Sequence, residues 1–116
     1  MVHSIMKSKK RIYSNYTIEA LQVMAGLIKT GRKEKKQSMQ DVADRAGISR
    51  GLLRRIENGD VKCEVGVVFE VASIVGVNLF ESDEHQLAFH RKGIQEKLSL
   101  MPKSVRKASK QVDDDF

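Results

Sequence analysis

The 116-residue sequence has few aromatic residues, one proline, one cysteine and no tryptophan. Because aromatic residues make up only 5% of the chain, any hydrophobic core must be built from aliphatic side chains. The single proline and the scarcity of alternating β-branched residues favour helices over a sheet. We therefore predict an all-α fold, and a chain of this length fits one small domain with tails.

Other absences exclude whole classes of protein. No apolar run approaches the roughly 18–20 residues that a transmembrane helix requires. Residues 1–11 are basic without an apolar centre, which argues against a secretory signal peptide. Cys63 has no partner for an internal disulfide, as in a reducing cytoplasm, and we expect it to be a semi-buried apolar residue. The three histidines are His3, His85 and His90. They lack partners at metal-ligand spacing, so we predict no metal site.

The charge balance is basic, with 21 Lys and Arg against 15 Asp and Glu and a formal net charge of +6. A small basic domain often binds polyanions, although many basic proteins do not. Residues 1–15 are predicted to form a flexible basic arm that either contacts DNA or is simply solvated. Residues 99–116, which change from basic to acidic, are predicted to be a second flexible tail. The domain between them is predicted at 16–98.

Apolar residues recur at helical spacing in five segments. In the first segment Ile18, Leu21 and Ile28 share a stripe, and in the fourth Val65 and Val68 do so. Both stripes are expected to face the core. The predicted helices span about 17–36, 39–46, 50–57, 65–75 and 83–98.

Short polar residues and glycines mark the boundaries of these helices. Ser38 and Asp41 have the spacing of a capping box, in which each side chain accepts a hydrogen bond from the other residue's backbone N–H. Gly47 supplies the left-handed conformation that ends the second helix, and Ser49 caps the third. The Asn58-Gly59 pair is predicted to end the third helix.

Two short helices joined through a glycine form a helix-turn-helix pattern. The small Ala43 lets the two helices cross closely, and Ile48 and Leu53 set the angle of the third helix from below. The opposite face of the third helix is left free. It carries Arg50, Gly51, Arg54 and Arg55.

The segments RKEKKQSMQDVADRAGIS, GLLRRIENG and VASIVGV resemble the Xre/lambda-repressor helix-turn-helix family in residue types and in spacing. The resemblance extends from about Ala25 to Phe80. It implies a five-helix lambda-repressor-like domain whose third helix lies in the DNA major groove. The sequence departs from the family at Cys63, where proline is frequent, and at Gly31, where a helix-favouring residue is usual.

The resemblance implies roles for individual side chains. Arg32 and Glu57 match a partly buried structural ion pair of the family. The exposed residues of the third helix match base-contacting positions, with Arg50 and Arg55 as the favoured base contacts and Arg54 as a phosphate contact. The alternative for each arginine is a solvated surface charge. Phosphate contacts are expected from Ser38, Gln40, Ser49, Asn58, Gly59 and Lys62.

Members of this family dimerise on pseudo-palindromic operators of double-stranded DNA, which implies a homodimer here. Five apolar residues beyond the fourth helix are available for the interface. The alternative is that they pack within the same chain, and the sequence leaves both open. These residues are Leu79, Phe80, Leu87, Ile94 and Leu98.

The segment KLSLMPKSVRKASKQVDDDF resembles the tails of HipB-type antitoxins, which bind HipA-type serine/threonine kinase toxins. This resemblance implies a cytoplasmic, nucleoid-associated protein that represses its own operon and neutralises the kinase by direct binding. The acidic run with its terminal aromatic residue is a candidate docking peptide, and a disordered solubilising tail is the alternative. The docking residues are Val112, Asp113, Asp114, Asp115 and Phe116.

The sequence contains no constellation of nucleophile, base or metal ligands and no Gly-rich phosphate loop. We therefore expect a protein that is not an enzyme and that uses no cofactor, small-molecule substrate or membrane. A stand-alone Xre-type regulator without a toxin is the main alternative. A small enzyme or enzyme inhibitor without DNA binding is the other.

Overall fold

The computed structural model describes residues 11–80 and 82–105, and this part of the chain contains five α-helices and no strand. The predicted all-α fold is therefore confirmed. None of the five helices is long and apolar enough to cross a membrane. They are α1 (Asn15–Glu34), α2 (Met39–Ala46), α3 (Arg50–Glu57), α4 (Val65–Ile74) and α5 (Glu84–Ser99).

The chain divides into two compact units, residues 1–81 and residues 82–116. The first unit contains α1 to α4, and the second contains α5. A complete capping box begins α5, because the Asp83 carboxylate accepts from Gln86 N at 2.8 Å and the Gln86 amide oxygen accepts from Asp83 N at 2.9 Å. α5 ends at Ser99, three residues before Pro102.

The core of the first unit is aliphatic, as the composition predicts. α2 packs against both α3 and α4, and α3 also packs against α1. Ala43 of α2 is completely buried in the central cluster, so the small side chain expected at a close crossing lies inside the fold. The buried apolar residues are Ala25, Ile28, Val42, Ala43, Leu53, Ile56, Val68, Val71, Ala72 and Val75.

Two apolar residues predicted to face the core lie at the surface instead. Ile18 is 40% exposed and Val65 is 70% exposed. Both lie in the first turn of their helix. In α1, which has 20 residues, full burial begins only at Ala25, so the helix starts before the residues it packs against.

α1 begins earlier than its apolar pattern indicates. Ser14 is its N-cap, and the Ser14 hydroxyl accepts from Thr17 N at 3.2 Å. Asn15, assigned by the sequence to the basic arm, is thus the first residue of the helix. The arm predicted at residues 1–15 otherwise lies largely outside the described residues.

Close packing explains why residue 31 is a glycine, at a position where the family that the sequence resembles usually has a helix-favouring residue. A Cβ atom at this position would lie 2.9 Å from the backbone oxygen of Val75 and 3.0 Å from Cγ2 of Val77. α1 therefore passes directly against the chain that follows α4. The close approach requires a residue without a side chain.

Candidate nucleic-acid interface

Local capping positions the two helices of the helix-turn-helix. The Ser38 hydroxyl accepts from Asp41 N at 3.0 Å, and the Ser49 hydroxyl accepts from Leu52 N at 3.0 Å. Gly47, between the helices, has a left-handed φ of 70°. Each of these features depends on residues that are close in sequence. The sequence pattern therefore predicted the two caps and the glycine turn correctly.

The capping box predicted at Ser38 and Asp41 is only half formed within the described residues. The backbone N–H of Asp41 donates to Ser38, but the structure gives no return bond from the Ser38 backbone N–H to the Asp41 carboxylate. Aspartate is one methylene shorter than the Glu or Gln that completes this motif. The short side chain accounts for the difference from the complete box at the start of α5.

The outer face of α3 is basic and open. Leu53, Ile56 and Glu57 turn into the fold and are buried. The three arginines and the glycine of α3 are exposed, so the helix presents three guanidinium groups and one glycine on the side away from the core. These residues are Arg50, Gly51, Arg54 and Arg55.

Arg55 does not extend freely from this face. Its Nε donates to Oδ2 of Asp60 at 2.8 Å, and Oδ1 of Asp60 accepts from the backbone N–H of Lys62 at 2.8 Å. The Arg55 side chain remains 50% exposed and that of Asp60 30%. The hydrogen bond between them raises the pKa of Arg55 and lowers the pKa of Asp60.

Arg32 and Glu57 form a two-point ion pair that joins α1 to the end of α3. Arg32 Nε donates to Oε2 of Glu57 at 2.6 Å and Nη2 donates to Oε1 at 3.0 Å. Nη1 of Arg32 also donates to the carbonyl oxygen of Gln37 at 3.1 Å. Both charged residues are only 8% exposed, and the hydrogen bond to Glu57 raises the pKa of Arg32. The pair is therefore a buried part of the scaffold, whereas Arg50, Arg54 and Arg55 are exposed.

The residues predicted to contact phosphates lie at three places: the N-terminus of α2, the N-terminus of α3 and the loop after α3. Ser38 and Ser49 are the N-caps of α2 and α3, where free backbone N–H groups and the helix dipole favour an anion. Near the first of these, Gln40 donates to the Asp44 carboxylate at 2.8 Å. The third place is the loop after α3, which carries Asn58, Gly59 and Lys62.

Gln22 of α1 holds the beginning of that loop. Its side-chain amide donates to the Asn58 carbonyl oxygen at 3.1 Å. Gly59 has a φ of 77°, and a Cβ atom there would lie 2.5 Å from Nε2 of Gln22. Sequence reasoning missed Gln22 and Asp60, because neither lies on the helix whose pattern identified the site.

The apolar residues predicted to form a dimer interface differ in their surroundings. Leu79 is half-buried and packs against the core of the first unit. Phe80 is 67% exposed and stacks on Phe69, with ring centroids 5.7 Å apart. The three predicted residues of the second unit, Leu87, Ile94 and Leu98, are all exposed.

The tail residues predicted to dock a toxin lie outside the described residues. They are Val112, Asp113, Asp114, Asp115 and Phe116.

Comparison with known families agrees with this geometry. Residues 28–82 match a family model described as Helix-turn-helix. The matched segment contains α2, α3 and α4 completely, and with them every exposed residue of the basic face. No curated protein and no solved structure matches the chain significantly. Residues 28–82 thus have a helix-turn-helix fold and are similar to this family, whose second helix-turn-helix helix typically lies in the DNA major groove.

Proposed function

We propose that this helix-turn-helix protein is a sequence-specific transcription regulator that places α3 in the major groove of double-stranded DNA. The observation that carries the proposal is the exposed face of α3, where Arg50, Arg54 and Arg55 surround a glycine. An arginine can donate two hydrogen bonds to O6 and N7 of guanine, a pattern that distinguishes guanine from the other bases.

Gly51 supports this orientation because the fold does not require a glycine there. A Cβ atom at Gly51 would have only the Ser49 hydroxyl nearby, at 3.8 Å. Its φ is not among the positive values that favour glycine. The fold would tolerate a side chain at this position, but glycine has none. Another molecule can therefore approach the helix backbone closely here.

Phosphate contacts on both sides of α3 would fix its position in the groove. The N-terminal ends of α2 and α3 offer backbone N–H groups beside Ser38, Gln40 and Ser49. The loop with Asn58, Gly59 and Lys62 offers a second anchor. Such contacts set register and affinity, whereas the arginines supply base preference.

The DNA-binding form is proposed to be a homodimer on a pseudo-palindromic operator. One domain of this size covers a single half-site, and two-fold symmetry doubles the contacts. Exposed aromatic surface is common at protein interfaces, and the stacked Phe80 provides it. The apolar residues proposed to contact the second copy are the exposed ones, Phe80 in the first unit and Leu87, Ile94 and Leu98 in the second.

The DNA-binding proposal is tested by replacing Arg55. Duplexes bound by the wild-type protein are first selected from a randomised DNA library. Arg55→Ala is expected to weaken binding to the selected duplex by about 1–3 kcal/mol and to relax the base preference at one position. Lys29→Ala, which removes an exposed cation of α1, is the control and should leave base preference unchanged. Equal losses on selected and scrambled duplexes would instead make Arg55 a phosphate contact.

At a finer level we propose that the protein is an antitoxin that represses its own operon and neutralises a HipA-type serine/threonine kinase. The support is the sequence of residues 97–116, which resembles HipB-type tails. An acidic run ending in an aromatic residue suits docking, since the ring can fill a pocket while carboxylates face basic groups. The stand-alone regulator without a toxin remains the competing function.

Affinity capture from native lysate separates these two functions. The bait is the full chain, a chain truncated after Leu98, or the point variant Phe116→Ala. An antitoxin should retain a protein that phosphorylates serine or threonine after release, and both altered baits should retain less of it. A stand-alone regulator should retain DNA with all three baits and no kinase with any.

A further inference from the structure

Asp60 lies in the loop after α3 and holds Arg55 at a fixed place on the edge of the basic face. Its two carboxylate oxygens have different partners. Oδ1 accepts from the backbone N–H of Lys62 at 2.8 Å, and Oδ2 accepts from Nε of Arg55 at 2.8 Å. Because the backbone orients the carboxylate, the carboxylate in turn orients the guanidinium group.

The bond uses the nitrogen of Arg55 that is nearest to its stem. A guanidinium group has a planar fork of N–H donors, and only Nε is engaged by Asp60 in the described structure. The two Nη nitrogens at the end of the fork remain for another acceptor. Their spacing matches the O6 and N7 acceptors of one guanine.

The charge of Asp60 also affects which part of DNA Arg55 can bind. The Arg55–Asp60 pair has no net charge, so its attraction to a phosphate is much weaker than that of an unpaired arginine. A guanine edge is neutral and needs only correctly placed donors. Arg54, for which the described structure gives no ion pair, retains its full charge for a phosphate.

We propose that Asp60 is a specificity-determining positioning residue: it holds Arg55 through Nε so that both Nη groups meet one guanine edge. Asp60 itself contacts no DNA. Holding the side chain before binding lowers the entropy lost when the complex forms. This inference rests on the proposed function, because it requires α3 to lie in the groove.

Removing Asp60 should therefore have opposite effects on two kinds of DNA. Binding to the preferred sequence weakens, because Arg55 is no longer held in place. Binding to unrelated sequence is unchanged or tighter, because one negative charge has been removed from the interface. A residue that only stabilises the loop would weaken both when removed.

The test uses the full chain and two probes, namely a duplex selected by the wild-type protein from a randomised library and a scrambled duplex of equal composition. The variants are Asp60→Ala, Asp60→Asn, Arg55→Ala and the double variant Asp60→Ala with Arg55→Ala. We expect Asp60→Ala to bind the selected duplex about five- to tenfold more weakly and the scrambled duplex no more weakly. In a repeated selection it should lose the same guanine preference that Arg55→Ala loses.

Two further comparisons separate positioning from folding. Asp60→Asn keeps one oxygen that can accept from Lys62 N, but its amide nitrogen cannot accept from Nε of Arg55, so it should keep the loop bond and still lose the guanine preference as Asp60→Ala does. In the Arg55→Ala background, Asp60→Ala should cause no additional loss of base preference. Thermal unfolding shows which variants are folded. If Asp60→Ala is not folded, the base preference of Asp60→Asn decides whether Asp60 positions Arg55.

Contrary outcomes are distinguishable. An unchanged selected motif in Asp60→Ala and Asp60→Asn overturns the role of Asp60 and leaves the proposed function intact. Equal weakening on both duplexes also overturns it and makes Asp60 a structural loop residue. Failure of the wild-type protein to select any motif overturns the proposed function, and this inference with it.

Discussion

Arg32 and Arg55 show how the same side chain acquires different roles from its surroundings. Each pairs with one carboxylate through Nε. Arg32 is buried and uses all three of its nitrogens inside the protein, whereas half of the Arg55 side chain is exposed. The first arrangement stabilises the fold, and the second leaves donors for a ligand.

Replacement of Arg32 by alanine should strand the Glu57 carboxylate, which is 8% exposed. We expect a loss of roughly 3–5 kcal/mol in the free energy of unfolding, because a buried charge without a partner is costly. Urea denaturation measures this loss. Arg54→Ala is the matched control and should change stability by no more than about 0.5 kcal/mol. Similar effects of the two changes would show that the buried pair contributes nothing particular to stability.

Cys63 is half-buried, and burial raises the pKa of its thiol. The neighbouring Asp60 carboxylate adds to this effect, and Arg55 opposes it. Because a raised pKa lowers the thiolate fraction, alkylation by iodoacetamide at about pH 8 should be slower in the native protein than in urea. The rate should continue to rise with pH beyond the range of an ordinary thiol. Identical pH–rate curves for native and denatured protein would contradict this.

The limits of sequence reasoning at this scale follow from the range of each interaction. Ser38, Gly47 and Ser49 act within a few residues of themselves, so their positions in the sequence were sufficient to predict their roles. The contact of Asp60 with Arg55 depends on how the chain turns after α3. An aspartate five residues after an arginine has no fixed relation to it outside a regular helix.

At the scale of helices, the periodic pattern predicted which segments are helical but not how far each helix extends past the core. α1 begins at Asn15 because Ser14 caps it, and Ile18 therefore belongs to a turn with little protein beneath it. Val65 is exposed for the same reason at the start of α4. How deeply a residue is buried depends on the neighbouring helices. The spacing of apolar residues along one helix does not predict it.

Two glycines of α1 should respond in opposite ways to the same substitution. Gly26→Ala places a methyl group where nothing lies within 4 Å, so it should stabilise the protein by up to about 1 kcal/mol through helix propensity. Gly31→Ala places it 2.9 Å from the Val75 oxygen, so it should destabilise by roughly 1–3 kcal/mol. Urea denaturation of both variants measures the difference. Stabilisation by both variants would show that the backbone moves apart at Gly31 without cost.

For the whole molecule, the all-α fold could be predicted because composition, spacing and capping agree with one another. Whether the protein forms a dimer could not be predicted from the sequence. Apolar residues such as Leu79, Phe80 and those of α5 are equally compatible with packing within one chain or between two chains. Leu79 is half-buried within its own domain, which accounts for part of this apolar surface. The remaining exposed apolar side chains are the ones on which the proposed dimer depends.

The net charge of +6 should make DNA binding strongly dependent on salt. We expect the logarithm of the affinity to fall linearly with the logarithm of salt concentration, because each neutralised phosphate releases counterions. Lys62→Ala should reduce the slope by about 1 and weaken binding to selected and scrambled duplexes equally. Fluorescence anisotropy at several salt concentrations measures both effects, with Lys29→Ala as the control. A slope unchanged by Lys62→Ala would remove this lysine from the phosphate contacts, and a flat response of the wild-type protein would mean that phosphate contacts contribute little to its affinity.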